Sequence, residues 1–130
     1  MEGLVANILT LNGIPFEQEV YYTEFPDIVK ALGADNKRFD FVIRTPHKTY
    51  LIEANFYTGG GSKLNEVARS YSELAPKINA VPGFEFVWIT DGIGWESARN
   101  KLKEAFAHIS SVYNLTNIQE LISRVKNDQQ

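Results

Sequence analysis

A β-hairpin followed by a helix is the feature that most constrains the fold of this chain. Residues 38–45 (RFDFVIRT) and 49–57 (TYLIEANFY) are both rich in aromatic and β-branched side chains, and only three residues separate them. So short a connection predicts antiparallel neighbours in one sheet. Three glycines at residues 59–61 then lead into residues 63–79, where apolar side chains recur at helical spacing.

The flanking sequence predicts further strands and helices around this unit. Residues 84–90 (FEFVWIT) form a mostly apolar run, which is typical of a strand buried on both faces. The other predicted elements are helices over residues 2–12, 25–32, 95–108 and 117–126, and strands over residues 16–22 and 112–115. This order predicts an α/β fold, with a mixed sheet of four or five strands flanked by helices. At this length we expect one domain, spanning residues 1–130.

Composition excludes several classes of protein. The chain has no cysteine, so neither a disulfide framework nor a thiolate metal site is possible. It begins with Met-Glu rather than a basic leader, and no apolar run reaches membrane-spanning length, so we expect a cytoplasmic protein without a membrane partner. A net charge of −3 argues against a non-specific DNA-coating protein. Residues 36–72 carry six basic and three acidic side chains, an excess that a solvated surface alone would explain.

Two carboxylates stand out because they lie inside predicted strands. An unpaired buried carboxylate costs several kcal/mol, so Asp40 either faces water or has a positive neighbour. Glu53 lies across the hairpin and approaches Asp40 if the pairing shifts by a few residues. Two converging carboxylates would form an oxygen-rich site suited to Mg²⁺. Residue types alone favour the other interpretation, in which Arg44 or Lys48 forms surface salt bridges with these acids.

The spacing of Asp40 from Glu53-Ala54-Asn55 resembles the metal-binding core of the PD-(D/E)xK nuclease superfamily. The stretches "FDFVIRT", "YLIEANFYTGGGSKLNEVARSY" and "FVWITDGIGW" more specifically resemble the DpnII/MboI-type, GATC-cutting type II restriction endonucleases. The likeness covers residues 38–107, and the flanks agree in pattern. Members of this family are considerably longer, and this chain resembles their C-terminal catalytic portion.

The resemblance implies a restriction-endonuclease-like fold and an endonuclease that cuts double-stranded DNA. It implies Mg²⁺ as the cofactor, with Mn²⁺ as a substitute, held by Asp40, Glu53 and the backbone carbonyl of Ala54. Glu2 on the first helix matches an auxiliary acidic ligand of many superfamily members. A first-turn glutamate that complements the helix dipole is an equally good explanation of Glu2. Cutting both strands of a palindromic site implies a homodimer with two-fold symmetry.

The usual third residue of the superfamily motif, lysine, is replaced by Asn55. An amide orients water but carries no positive charge, so Lys63 is predicted to supply that charge from beyond the glycine loop. With Asp40 and Glu53, these two residues form the expected catalytic set. Glycines allow backbone N–H groups to approach phosphate, and a helix N-terminus binds anions. The expected DNA-binding residues are therefore Gly59, Gly60, Gly61, Ser62, Lys63 and Arg69.

Three hypotheses of different classes follow. The first is a Mg²⁺-dependent endodeoxyribonuclease, and the second is a nuclease-like module that binds DNA or protein without catalysis. The third is a structural subunit domain that docks on further chain and exposes a large apolar area when free. The loss of the motif lysine keeps the second hypothesis open, whereas the intact Asp40 and Glu53 favour the enzyme.

Overall fold

The computed structural model describes residues 2–34, 36–56, 61–91 and 107–130, and only the backbone of residues 61–64. Most of the helix predicted over residues 95–108 lies outside the described residues. The described elements are α1 (Glu2–Leu11), β1 (Glu17–Tyr21), a single 3₁₀ turn (Tyr22–Glu24), α2 (Pro26–Leu32), β2 (Arg38–Arg44), β3 (Thr49–Phe56), α3 (Gly61–Asn79), β4 (Phe84–Asp91), β5 (Val112–Tyr113) and α4 (Ile118–Gln129). Among the helices described, none combines the length and the apolar character needed to cross a membrane.

The five described strands form one mixed sheet in the order β1-β2-β3-β4-β5. The β1–β2 and β2–β3 pairs are antiparallel, whereas the β3–β4 and β4–β5 pairs are parallel. The antiparallel part contains the predicted hairpin, and α3 provides the longer connection that a parallel β3–β4 pair requires. The predicted α/β fold with a mixed, helix-flanked sheet is confirmed.

Both faces of the sheet are covered by helices, which explains why its central strands are almost continuously apolar. One core cluster lies between the sheet and helices α2 and α3, and the other lies between the sheet and helices α1 and α4. Along β3, side chains alternate between the two clusters: Leu51 belongs to the first, and Tyr50 and Ile52 belong to the second. The next residue with the orientation of Leu51 is Glu53. The alternation therefore aims Glu53 toward the α3 side of the sheet.

Strand β2 bends at Asp40. Phe39 and Phe41 are two residues apart and would share a face in a regular strand, yet they belong to opposite clusters. The β1–β2 pairing also has a gap here, because the ladder joins Gln18 to Phe41 and Val20 to Phe39 but does not include Asp40. Because of this bend, Asp40 does not follow the regular alternation of side chains between the two faces of the sheet.

A polar network joins the opposite end of the sheet to α4. Glu85 accepts from Lys48 Nζ at 3.0 Å, Arg124 Nη2 at 2.7 Å and Ser111 Oγ at 2.6 Å. Arg124 also donates to the hydroxyl of Tyr113 at 2.9 Å. The three donors hold the pKa of Glu85 below its ordinary value although burial opposes them. Because each carboxylate oxygen has a partner, this network ties α4 and β5 to the sheet.

We expect Glu85→Ala to lower the free energy of unfolding by about 3 kcal/mol, because it leaves partly buried cations without their shared carboxylate. Urea denaturation measures the change. Glu73→Ala on α3 is the matched control and should change stability by less than about 0.5 kcal/mol. Equal stability of the two variants would show that the network contributes nothing.

A candidate active site at the hairpin

The hairpin register brings Asp40 and Glu53 together without any shift. The last paired position of β2 and β3 joins Phe41 to Ile52, and the same register places Asp40 opposite Glu53. The shift in pairing that the sequence analysis allowed for is therefore not needed to bring the two acids together. The Oδ2 atom of Asp40 also accepts the backbone N–H of Ala54 at 2.9 Å. Asp40 is thereby fixed at the end of β3, beside Glu53.

Glu53 is a buried carboxyl, with only 4% of its surface exposed. Burial is the main reason that its pKa rises from 4.5 to about 8. Asp40 raises the pKa further, by hydrogen bonding to the protonated form and by repelling the charged form, whereas Lys37 lowers it. A bound cation would favour the charged form of both acids, so the pair is compatible with a cation site. Its burial distinguishes Glu53 from a carboxylate in an ordinary surface salt bridge.

Glu2 approaches the same site from α1. Its pKa is raised, first by a hydrogen bond with Asp40 and then by burial. The structure thus brings Glu2 to Asp40 and Asp40 to Glu53. Even so, the described residues include no group of three or more histidines, cysteines or acids that could hold one metal ion. The stronger candidate donor set is therefore the Asp40–Glu53 pair with the nearby carbonyl of Ala54.

In the described salt bridges, Lys37 is the cation that pairs with Glu53, although sequence reasoning assigned it no role. Its ammonium forms an ion pair with Oε1 of Glu53, and 25% of its side chain is exposed. The nitrogen lies 5.3 Å from the ring centre of Tyr71 and 6.0 Å from that of Phe39. The only signal in the sequence was its position in a basic stretch, three residues before Asp40. Neither Arg44 nor Lys48, the partners considered from the sequence, is paired with these two acids in the described salt bridges.

Asn55 lies on the α3 side of the sheet and contacts two aromatic residues. Its Oδ1 atom accepts the indole N–H of Trp88 at 2.8 Å, and its amide nitrogen donates to the hydroxyl of Tyr71 at 3.3 Å. The side chain is therefore held in one orientation between β4 and α3. One lone pair of its oxygen and one hydrogen of its amide nitrogen are engaged, so one of each is left to orient water.

Most of the predicted DNA-binding residues have side chains that the structure does not describe. Gly59 and Gly60 are outside the described residues, and α3 begins at Gly61, two residues before its predicted start. The backbone of Ser62 and Lys63 lies in the first turn of α3, but their side chains are not described. The predicted approach of Lys63 to the acidic pair thus stays a prediction. Arg69 is exposed on α3.

The sequence of this chain is similar to a described protein family and to several curated enzymes. The family description "DpnII restriction endonuclease" matches residues 1–124. The type II restriction enzyme MboI of Moraxella bovis is 56% identical over 88% of this chain and 41% of its own length. The type II restriction enzyme DpnII of Streptococcus pneumoniae is 52% identical over 94% of this chain and 46% of its own length. The type II restriction enzyme LlaDCHI of Lactococcus lactis subsp. cremoris is 44% identical over 72% of this chain and 32% of its own length.

The chain spans less than half the length of these curated relatives. The match nevertheless runs through α1, the hairpin, α3 and β4, so it includes every element that contributes to the candidate site. The resemblance noted in the sequence is confirmed at the level of the family: this chain belongs to the DpnII restriction endonuclease family.

Proposed function

We propose that this chain is the Mg²⁺-dependent catalytic domain of a type II restriction endonuclease that hydrolyses phosphodiester bonds in double-stranded DNA. The observation that carries the proposal is the convergence of Asp40 with the buried, proton-retaining Glu53 at the end of the hairpin. Family membership and the names of the relatives support the reaction class. Cleavage at GATC rests on the likeness of residues 38–107 to GATC-cutting enzymes.

The donors at the site suit Mg²⁺, which prefers one or two carboxylates and completes its shell with water and phosphate oxygens. Asp40, Glu53 and the Ala54 carbonyl would hold it. Within the described part of the chain, the buried Oε1 atom of Glu53 forms an ion pair with Lys37 and accepts no further hydrogen bond, so it has capacity for a cation. Bound there, Mg²⁺ would neutralise the two carboxylates and acidify the attacking water. Mn²⁺ would serve as a substitute because it takes the same oxygen ligands.

Hydrolysis joins a water oxygen to phosphorus while the bond from phosphorus to the leaving sugar oxygen breaks. The water loses one proton to solvent, and the leaving oxygen gains one. The protein's contribution is to hold the reacting groups in place, since such reactions depend mainly on positioning and electrostatics. The Asp40–Ala54 hydrogen bond fixes the end of β3, and we assign to Asn55 and Lys63 the positioning of water and phosphate.

DNA would lie across the start of α3. Backbone N–H groups of Gly59, Gly60, Gly61 and Ser62 would contact phosphates, because a glycine-rich loop before a helix N-terminus suits anions. Lys63 and Arg69 would contact the DNA backbone. A two-fold homodimer acting in the cytoplasm would place one site on each strand of a palindromic sequence.

We expect this chain to bind Mn²⁺ in calorimetric titration and to cut plasmid DNA in Mg²⁺, and we expect EDTA to abolish cutting. The reason is that the two acids need a cation before a phosphate can approach them. A nuclease-fold module without catalytic activity would neither bind Mn²⁺ nor cut, and it could still shift DNA in a gel. That combination of results would replace the proposed function with the alternative one.

A further inference from the structure

We infer that Lys37 is a catalytic residue whose ammonium contacts the scissile phosphate at the Asp40–Glu53 site. The inference deepens the proposed function and rests on it. Among the described salt bridges, the Lys37–Glu53 pair is the one that reaches either acid of this site. Under the proposed function, the scissile phosphate would bind beside Asp40 and Glu53, which is where the Lys37 ammonium lies.

Lys37 is held in place by more than its ion pair. Its nitrogen lies near the rings of Tyr71 and Phe39, at distances where a cation is attracted to an aromatic face. Tyr71 is itself fixed, because its hydroxyl accepts from Asn55 and its ring packs edge-on against Trp88 at 5.2 Å. The ammonium therefore has a support that does not depend on Glu53.

The charges of the reaction call for such a cation. A divalent ion would balance the charges of the two carboxylates. The negative charge of the phosphodiester, and the further negative charge that develops as water adds, would still need a cation. If Glu53 held a metal ion, its attraction for Lys37 would fall, whereas the contacts of Lys37 with Tyr71 and Phe39 would remain. With a quarter of its side chain exposed, Lys37 would be able to turn its N–H donors to a non-bridging phosphate oxygen.

A purely structural lysine would behave differently when removed. Lys37 competes with a divalent ion for Glu53, so losing the ammonium should strengthen metal binding while it weakens catalysis. A lysine that merely preserves the shape of the site would weaken both when replaced. The two roles are therefore separated by the sign of the change in metal affinity.

The experiment compares this chain with Lys37→Met, Lys37→Arg and, as matched control, Lys30→Met at an exposed position of α2. Calorimetry with Mn²⁺, single-turnover cleavage of plasmid DNA and thermal melting are measured for each. We expect Lys37→Met to bind Mn²⁺ about fivefold more tightly, the scale of a partly exposed ion pair. We expect it to cut about a hundredfold more slowly, the usual loss when one preorganised donor is removed.

Lys37→Arg keeps the charge and should cut within about tenfold of the unmodified chain, and Lys30→Met should match the unmodified chain in every measurement. Should Lys37→Met not fold, Lys37→Gln is the second uncharged variant, with the same two expected changes. Wild-type cleavage by a folded uncharged variant would overturn the inference, and so would parallel loss of cleavage and Mn²⁺ affinity. If the unmodified chain neither binds Mn²⁺ nor cuts DNA, the proposed function itself fails and the inference falls with it.

Discussion

Asp40→Asn and Glu53→Gln are each expected to slow single-turnover DNA cleavage by at least about a thousandfold. Each change removes one charged donor from the proposed metal site, and a metal supplies several kcal/mol of stabilisation to the transition state. The amide replacements are chosen over alanine because they retain the size of each side chain. For Asp40 this matters, since the amide that replaces its carboxylate retains an oxygen to accept the Ala54 N–H.

The same variants should fold normally, and they should melt slightly higher than the unmodified chain without metal. Either change removes one of two mutually repelling acids, which is worth on the order of 1 kcal/mol. Asp40→Ala differs because it leaves the Ala54 N–H without its acceptor, at a cost of about 1 kcal/mol that offsets the gain. Asp40→Asn is therefore a cleaner test of the repulsion between the two acids than Asp40→Ala.

Glu73→Gln on α3 is the control, since this glutamate lies outside the site. It should bind Mn²⁺, melt and cut like the unmodified chain. Lower melting temperatures for both Asp40→Asn and Glu53→Gln in EDTA, with cleavage retained, would mean that the acids hold the fold together. In that case the metal-site proposal would be wrong.

Local sequence patterns were sufficient for the fold because hydrophobic periodicity and turn residues act over short distances. The predicted strands at residues 38–45 and 49–57 end within one residue of β2 and β3. The predicted strand at residues 84–90 matches β4 to within one residue, and its central residues are buried, as expected. Helix α3 begins two residues before its predicted start and continues through Pro76 to the predicted end.

The candidate site was only half predictable, since its contacts join distant parts of the chain. The pairing of Asp40 with Glu53 follows from the hairpin, which is local. The bend of β2 does not follow from local patterns, because it depends on packing between two helical layers. Nor does the Lys37–Glu53 pair, since no periodic pattern marks a lysine that precedes a strand. The contact between Asn55 and Trp88, which are 33 residues apart in the sequence, needs the parallel β3–β4 pairing.

The stability of the metal-free chain should fall as pH rises from about 5 to about 8, by on the order of 4 kcal/mol. Glu53 has a pKa of about 8 in the folded chain and an ordinary value of 4.5 when unfolded. Below the unfolded value both states hold the proton, so the stabilising contribution is complete. Between the two values the folded chain retains a proton that the unfolded chain has released, and stability declines until Glu53 ionises in the folded state.

Other shifted acids do not cancel this slope. The pKa of Glu2 is also raised, so Glu2 acts in the same direction. The pKa of Glu85 is lowered, so its contribution is already complete above its ordinary value of 4.5 and stays constant through the window. A loss on this scale is a large part of the stability of a domain, so urea denaturation would detect it.

Urea denaturation in EDTA at about pH 5.5 and about pH 8.5 measures the slope, and Glu53→Gln should reduce it strongly because the amide does not titrate. Equal slopes for the two proteins would show that Glu53 is not the group responsible. Adding Mg²⁺ at the higher pH should restore stability to the unmodified chain, by about 2.7 kcal/mol when the ion is at a hundred times its dissociation constant. Glu53→Gln should gain much less from Mg²⁺, since it lacks the charge that the ion would balance. If Mg²⁺ restores stability to the unmodified chain and not to Glu53→Gln, then the bound cation offsets the free-energy cost of burying the charged Glu53.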